Sequence, residues 1–373
     1  MRFGIDARLT YYTRGGISFY IRQLVATLPA LDQANDYLIF HSRKAKEALP
    51  MPANARRADC WTPAHHRLER AALGLELLPR GLDLLHSPDF IPPLGPFRSV
   101  ITVHDLTFLR YPQFLTADSR RYYNDQIRDA VKKADAILTD SDATRADVLD
   151  LLGVAADKAT TVHLAPDPIF CPQPAEAVEA VLACLNLPQR YLLFVGTFEP
   201  RKNVPGLLTA YAQLPPDAPP LVLAGNKGWL FDEALALIAK LQLNNRIHFL
   251  QDFATADLPA IYQGAVALVL PSHYEGFGLP VLEAFACGTP AIIADRASLP
   301  EIAAGAAALC NPDDPASIAG AIEAVLSDSA YRQTLVAKGF ARVKDFSWEK
   351  CARETLAVYR KVISHQSTVN SNQ

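Results

Sequence analysis

Short apolar runs alternate with stretches of helical period along this chain, and the whole alternation occurs twice. That rhythm admits few folds. Strands buried on both faces read as unbroken apolar runs, and strand–helix–strand units assemble into parallel sheets covered by helices. In the first half, Arg2–Asp6, Tyr37–His41, Leu84–His86, Ser99–His104 and Ala136–Asp140 are predicted strands, with helices at Gly16–Leu28 and Ser119–Ala134. The segment "LAPDPIFCPQP", Leu164 to Pro174, then breaks the rhythm with four prolines and reads as a linker. A second series begins at "YLLFVG" (Tyr191–Gly196) and continues through Pro220–Gly225, Arg246–Gln251, Ala265–Pro271 and Pro290–Ala294. Its helices are expected at Asn203–Gln213, Glu233–Lys240, Leu258–Gly264, Leu279–Cys287 and Pro315–Leu326.

The expected architecture is α/β: two Rossmann-like, doubly wound parallel-sheet domains, residues 1–170 and 171–346. An amphipathic helix, Ser347–Val362 with Ser347 as N-cap, is expected to pack back on the first domain, followed by a disordered polar tail from Ser364. Open parallel sheets bind ligands beyond the carboxyl ends of their strands. Two such sheets facing one another would set their loops across a cleft, with a donor on one half and an acceptor on the other.

Composition narrows the function classes. Half the residues are hydrophobic and 20% are charged, as in ordinary globular enzymes, and a net charge of -3 gives no reason to expect nucleic acid. The opening "MRFGIDARLTYY" has too short an apolar run for a leader, broken at Asp6 and Arg8. No stretch approaches the ~18 apolar residues of a membrane span. The six cysteines contain no C-x-x-C pair and read as buried thiols of a reducing cytoplasm, the expected location.

Four segments carry chemistry. In "GIDARLTYYTRGGISFYIRQL" the pair Gly15-Gly16 opens a helix, where backbone amides can approach phosphate or sugar oxygens; it can equally be a plain turn. "VITVHDLTF" ends a strand with His104-Asp105, either a pair that orients or deprotonates a hydroxyl or an Asp capping the next turn beside a partly buried His. In "VGTFEPRKNVPGLLTAY", Arg201 and Lys202 stand between a strand end and a helix start, a pocket for a diphosphate more than a solvated basic pair. "PSHYEGFGLPVLEAFACGTPAI" places Glu275 in a glycine turn and Glu283 within the next helix. Carboxylates accept hydrogen bonds from vicinal diols and amides at a helix start suit phosphate, so the stretch fits two sugars joined through phosphate, a nucleotide sugar. Asp140-Ser141-Asp142 has the D-x-D spelling of metal-dependent transferases, but at a strand–helix junction Ser141 or Asp142 is better read as an N-cap. His65 and His66 lack a third ligand at metal spacing, and no metal is assigned.

"YEGFGLPVLEAFACGTPAI" resembles the E-x7-E motif of retaining glycosyltransferases of family 4, which have the GT-B architecture. "RGGISFYIRQL", "VHDLTF", "ILTDSDATRADV", "GTFEPRKN", "LAGNKGW" and "ASLPEI" resemble further blocks of that family, in order along nearly the whole chain. The resemblance implies that Glu275, with the amides of Gly276, Phe277, Gly278 and Leu279, grips the donor sugar, and that Glu283 holds the ribose. It implies that Arg201 and Lys202 neutralise the diphosphate, that Gly16 approaches it from the other domain, and that His104 contacts the transferred sugar. Thr197 stands where many relatives carry an arginine, and Arg201 is expected to supply that charge. The implied reaction is a metal-independent, same-face transfer of a hexose from a nucleotide sugar to a glycan or lipid-linked acceptor. The "GTFEPRKN" spelling resembles bacterial mannosyltransferases of polysaccharide assembly, which favours GDP-mannose over UDP-glucose or UDP-N-acetylglucosamine. A nucleotide-sugar epimerase or hydrolase, or a silent sugar-nucleotide-binding subunit, are the competing readings. Basic and aromatic residues in Pro63–Gly81 and Ser119–Lys133 are candidates for peripheral contact with a membrane's inner face, against the ordinary reading of solvated helix faces.

Overall fold

The computed structural model describes residues 1–13, 15–66, 68–114, 117–228 and 231–370, with backbone alone at 117–122, 125 and 365–370. Arg14, Arg67, Trp229 and residues 371–373, all within segments singled out above, lie outside the described residues. The side chains of Arg120, Arg121 and Tyr122, part of the basic and aromatic face expected there, do as well. The chain divides into two compact units, one formed by Met1–Leu164 with the segment from Ser347 onward, the other by Ala165–Phe346.

The first unit is built on seven parallel strands: β1 (Arg2–Asp6), β2 (Asp36–Ser42), β3 (Ala55–Cys60), β4 (Leu84–Ser87), β5 (Arg98–Val103), β6 (Ala136–Thr139) and β7 (Ala159–Thr161). Their order is β3-β2-β1-β4-β5-β6-β7, so the chain runs outward from β1 and then crosses back to start again at β4. Phe3, Ile5, Leu84, Leu85, Val100 and Ile101 are buried, as two-sided cover by helices requires. The last helix, Trp348–Asn370, packs on the helix Gly16–Leu31, with the rings of Phe19 and Trp348 5.5 Å apart. Its Tyr359 hydroxyl reaches His86 Nδ1 at 2.7 Å, and burial pushes that imidazole down to about 3, so it stays neutral. Ser347 Oγ accepts from the Lys350 amide at 3.1 Å, the N-cap bond. The helical backbone continues to Asn370, through most of the stretch from Ser364 expected to be a disordered tail.

The second unit holds six parallel strands: β8 (Tyr191–Val195), β9 (Leu221–Ala224), β10 (Ile247–Leu250), β11 (Ala265–Leu270), β12 (Ala291–Ala294) and β13 (Ala308–Cys310). Their order is β10-β9-β8-β11-β12-β13, the same outward-then-back winding, with the reversal between β8 and β11. The central strands are apolar along their length, and Tyr191–Phe194 and Ala267–Leu270 are inaccessible to solvent. The segment read as a linker is docked on this unit. Phe170 is buried against Tyr262, ring centroids 5.8 Å apart, and Gln173 and Gln263 exchange hydrogen bonds of 2.7 and 2.9 Å.

Among the described residues, no helix is long and apolar enough to cross a membrane.

Candidate active site

In the second unit the two central strands, β8 and β11, meet where the winding reverses, the place where open α/β sheets form a crevice for ligands. Beyond β8 the chain makes a one-turn helix, Pro200–Lys202, and enters the helix Val204–Tyr211 through Asn203. Asn203 adopts a left-handed conformation (φ 56°), and its Oδ1 caps the new helix by accepting from the Gly206 amide at 3.2 Å. Its Nδ2 donates to the carbonyls of Pro271 at 3.1 Å and Pro312 at 2.7 Å, tying this loop to those after β11 and β13. Asn203, expected as the first residue of the helix, is instead its N-cap, a position asparagine favours.

Between those ties sits a buried cluster of charges. Glu275 lies in the loop after β11 and is only 5% exposed. Its Oε1 accepts from Lys202 Nζ at 2.6 Å and from Ser272 Oγ at 2.8 Å, and its Oε2 accepts from Arg201 Nη1 at 2.7 Å. Arg201 also donates Nε to Glu199 at 2.9 Å. Burial alone would raise the Glu275 carboxyl, but Lys202 and Arg201 overcome it and hold the group down at about 2. It is therefore ionised near neutral pH. Lys202 is pushed below its ordinary range by burial, an effect only partly offset by Glu275. Arg201 and Lys202 are thus balanced by Glu275 and Glu199, and the two cations are fixed in place at the strand ends.

The rest of the glycine turn is pinned from behind. Ser298 Oγ donates to the carbonyls of Glu275 at 2.8 Å and Phe277 at 3.0 Å. Phe277 is buried edge-on against Phe346, 6.0 Å between centroids. Gly276 and Gly278 are buried with it, and Gly278 has φ 98°, a conformation side chains resist, at the N-cap of the helix Leu279–Ala286. Leu279, half-buried, is that helix's first residue. Ser272 and Ser298 were also missed; single serines in loops give no pattern to read.

Glu283, one turn into that helix, meets a different environment. Its Oε2 accepts from the Tyr262 hydroxyl at 2.6 Å. Burial raises its carboxyl to about 7, against the opposing pull of Tyr262 and of Lys202. Lys202 thus acts on both glutamates, and the structure brings Glu275, Glu283, Arg201 and Lys202 together.

The other predicted residues, Gly16 and His104, belong to the first unit. Gly16 is exposed at the start of the helix Gly16–Leu31, and a Cβ added there would meet nothing within 4 Å. The fold itself therefore makes no demand for glycine at that position. Of the two readings of His104-Asp105, the structure has Asp105 as a cap, and His104 pairs with Asp140: Nδ1 lies 2.6 Å from Asp140 Oδ2, and Nε2 lies 2.9 Å from the Pro88 carbonyl. Asp105 accepts from the Thr107 amide at 2.9 Å and caps the next turn. Burial would lower the His104 imidazole, but Asp140 more than reverses this and raises it to about 9. With an acceptor at each nitrogen, the ring is an imidazolium that donates at both ends. The D-x-D spelling is dismantled in the same way. Asp140 serves His104, Ser141 Oγ accepts from the Thr144 amide at 3.1 Å as N-cap, and Asp142 accepts from Thr161 Oγ1 at 2.6 Å. Among the described residues, no group of three or more His, Cys, Asp or Glu could hold a metal ion.

Three comparisons with known proteins bear on the family and the fold. The family described as Glycosyltransferase Family 4 matches residues 14–168, and Glycosyl transferases group 1 matches residues 185–342. O-antigen chain mannosyltransferase B of Escherichia coli is 32% identical over 370 residues, 94% of this chain and 97% of that protein. The serotype-specific mannosyltransferase WbdA of the same organism is 29% identical over 287 residues, 74% of this chain but 35% of that protein. In structure, sucrose-phosphate synthase from Thermosynechococcus elongatus superposes with a TM-score of 0.79 at 22% identity, covering 98% of this chain and 100% of that one. The two doubly wound parallel sheets have the GT-B fold, and the family matches make the protein a glycosyltransferase. The chain belongs to glycosyltransferase family 4.

Proposed function

We propose that this glycosyltransferase is a retaining, metal-independent mannosyltransferase that moves mannose from GDP-mannose to a hydroxyl of a glycan or glycolipid acceptor in polysaccharide assembly. One observation carries the chemistry: Arg201 and Lys202 converge on buried Glu275 at the strand-end reversal of the second unit, 2.7 and 2.6 Å away. Arg201 and Lys202 between them carry more N–H donors than Glu275 uses, so they can hold the departing diphosphate while staying fixed by the carboxylate. Glu275 at about 2 is a poor proton acceptor. It acts as a fixed negative charge and hydrogen-bond acceptor beside the donor sugar, not as a base. His104 is likewise a cation whose two N–H groups are held by Asp140 and the Pro88 carbonyl, so its contact with the transferred sugar is electrostatic and it takes no proton. Gly16, open to approach, and the turn Gly276–Leu279 offer backbone amides, and Glu283 takes the ribose. Catalysis is then leaving-group stabilisation and positioning, and the acceptor's proton leaves with the diphosphate.

The mannosyl and polysaccharide assignment is supported by the 32% identical relative, an O-antigen chain mannosyltransferase that this chain matches nearly end to end. A panel of nucleotide sugars, followed by thermal shift and by release of nucleoside diphosphate with and without acceptor glycans, tests it. GDP-mannose should be stabilising and consumed only with acceptor. Preference for UDP-glucose or UDP-N-acetylglucosamine would overturn the donor, and steady consumption of donor without acceptor would favour an epimerase or hydrolase.

The same reading holds the first unit at the inner face of a membrane. Trp61, Leu68, Leu75 and Leu78 are exposed there, with the Arg43 guanidinium 3.9 Å above the Trp61 ring. Aromatic, leucine and arginine side chains together suit an anionic interface. The protein should sediment with vesicles containing phosphatidylglycerol and remain in solution with pure phosphatidylcholine.

A further inference from the structure

His86, on β4 of the first unit, is an imidazole inaccessible to solvent that the transfer chemistry leaves unused. Its Nδ1 lies 2.7 Å from the Tyr359 hydroxyl and its Nε2 lies 2.8 Å from Thr102 Oγ1. Thr102 Oγ1 lies in turn 3.3 Å from the Tyr20 hydroxyl. Thr102, Tyr20 and Tyr359 are all buried. The four groups come from four elements: β4, β5, the helix Gly16–Leu31 and the last helix, where Tyr359 stands 273 residues after His86. Burial and the positive charge of nearby His104 both keep His86 neutral. A neutral imidazole carries one N–H, so the ring donates at one nitrogen and accepts at the other. The hydroxyls of Tyr359 and Thr102 therefore play opposite roles toward it, and loss of either leaves a buried ring nitrogen without its partner.

Taking such a ring out of water is costly, and an apolar side chain would pack there at less cost. What a fully paired polar network adds is a single arrangement of the elements that supply it. Here those elements surround His104. Thr102 lies two residues before His104, at the end of the same strand. Pro88, two residues after His86, supplies the carbonyl that accepts from His104 Nε2 at 2.9 Å. The Tyr20 ring stands edge-on to the His104 ring, 5.2 Å between centroids. Asp140, which holds the other ring nitrogen of His104, follows β6 and is not part of the His86 network.

We infer that Tyr359 is a positioning residue for the transfer reaction: through the buried imidazole of His86 it fixes the Pro88 carbonyl and the Tyr20 ring, and with them the place of His104. The inference rests on the reading of His104 as a cation beside the transferred sugar. It adds that the last helix, which follows every candidate site residue in sequence, sets the geometry of that cation.

The experiment compares the full chain with Tyr359→Phe, Thr102→Val, their double variant and Thr102→Ser. Tyr359→Phe keeps the ring that packs edge-on against Phe3, 5.5 Å between centroids, and removes only the hydroxyl. With the nucleotide sugar that the wild type consumes, Tyr359→Phe and Thr102→Val should each lower kcat ~10-fold well below their Tm, the scale of a small misplacement. KM for that donor and the affinity for its nucleoside diphosphate should stay within about twofold of wild type. The double variant should fall no further than either single one, because both cut one network. Thr102→Ser, which keeps a hydroxyl, should restore the rate. In NMR of histidine-labelled protein, the ring N–H protons of His104 should exchange with water faster in Tyr359→Phe than in wild type. A hydroxyl that served stability alone would lower Tm and leave kcat and this exchange unchanged. Unchanged kcat in Tyr359→Phe, additive losses in the double variant, or unaltered exchange at His104 would each overturn the positioning role. Failure of the reading beneath it shows separately, as a wild-type rate in His104→Ala.

Discussion

Glu275→Gln is the sharpest perturbation, because the structure makes opposite demands on the free protein and on its complex with nucleoside diphosphate. In the free protein the substitution removes the counter-charge of two cations whose side chains are only 22% and 9% exposed, Arg201 and Lys202. Truncating one partner of a buried ion pair costs ~3–5 kcal/mol. The lower figure applies here, since glutamine still fills the space and can keep the Ser272 bond at Oε1. For a unit of this size each kcal/mol moves Tm by ~2–4 °C, so the free variant should melt roughly 6–12 °C lower. A bound diphosphate returns negative charge to the same two cations. Saturating nucleoside diphosphate should therefore restore more stability to the variant than to the wild type, and its calorimetric affinity should be equal or tighter. Turnover should fall ~10²-fold, because the fixed charge that supports the sugar's developing positive charge is gone. Differential scanning calorimetry with and without nucleoside diphosphate, beside initial rates, reads all of these. A Tm within 2 °C of wild type would refute the buried-pair argument, and a tenfold loss of diphosphate affinity would place Glu275 on the phosphates instead of on the sugar.

Lys202→Ala should lower turnover by ~10²-fold and weaken nucleoside diphosphate in calorimetry, since it removes a cation from the leaving group. Glu283 is neutral below about 7, so nucleoside diphosphate should tighten as pH rises to that value, by up to tenfold per unit, and level off above it; Glu283→Gln should remove that part of the dependence, leaving only the diphosphate's own titration, in isothermal titrations from pH 5.5 to 8.5. Gly225→Ala should unfold the second unit or lower its Tm sharply, because the residue sits at φ 150° and its new Cβ would lie 2.1 Å from the Gly196 carbonyl oxygen. Activity should survive EDTA in metal-stripped protein, since Asp140 and Asp142 are occupied by His104 and Thr161; loss that magnesium or manganese restores would refute those assignments.

The fold was legible wherever a strand is buried on both sides. Tyr191–Val195 and Ala265–Leu270 announce themselves as apolar runs because helices cover both faces of the central sheet. The strands that escaped notice, β3, β7 and β13, are all at sheet edges. Their sequences, ARRADC, ATT and ALC, are short or carry arginines, because an edge strand is covered on fewer sides and its composition is correspondingly less constrained. The helix Ser329–Arg342 was missed for the complementary reason. Only Leu335 and Gly339 of it are buried, too few to mark a helical period.

The candidate site divides along another line. Charged residues after a strand or in the helix that follows it can be singled out in the sequence, and Arg201, Lys202, Glu275 and Glu283 were; the structure sets them near one another. Their partners could not, because hydrogen bonds across long sequence separations leave no local pattern: Glu275 to Lys202 spans 73 residues, and His104 to Asp140 spans 36. The two glutamates show what such partners decide. Eight residues separate them, and both are carboxylates enclosed by protein, so burial alone pushes both toward neutrality. Glu275 sits in a loop within reach of two cations and ends at about 2; Glu283 sits in a helix against a tyrosine hydroxyl and ends at about 7. On the proposed reading, a carboxyl held at about 2 suits a fixed electrostatic role beside the sugar, and one that titrates at about 7 would couple its grip on the nucleotide to pH. The two glutamates differ through Lys202, Arg201 and Tyr262 and not in themselves.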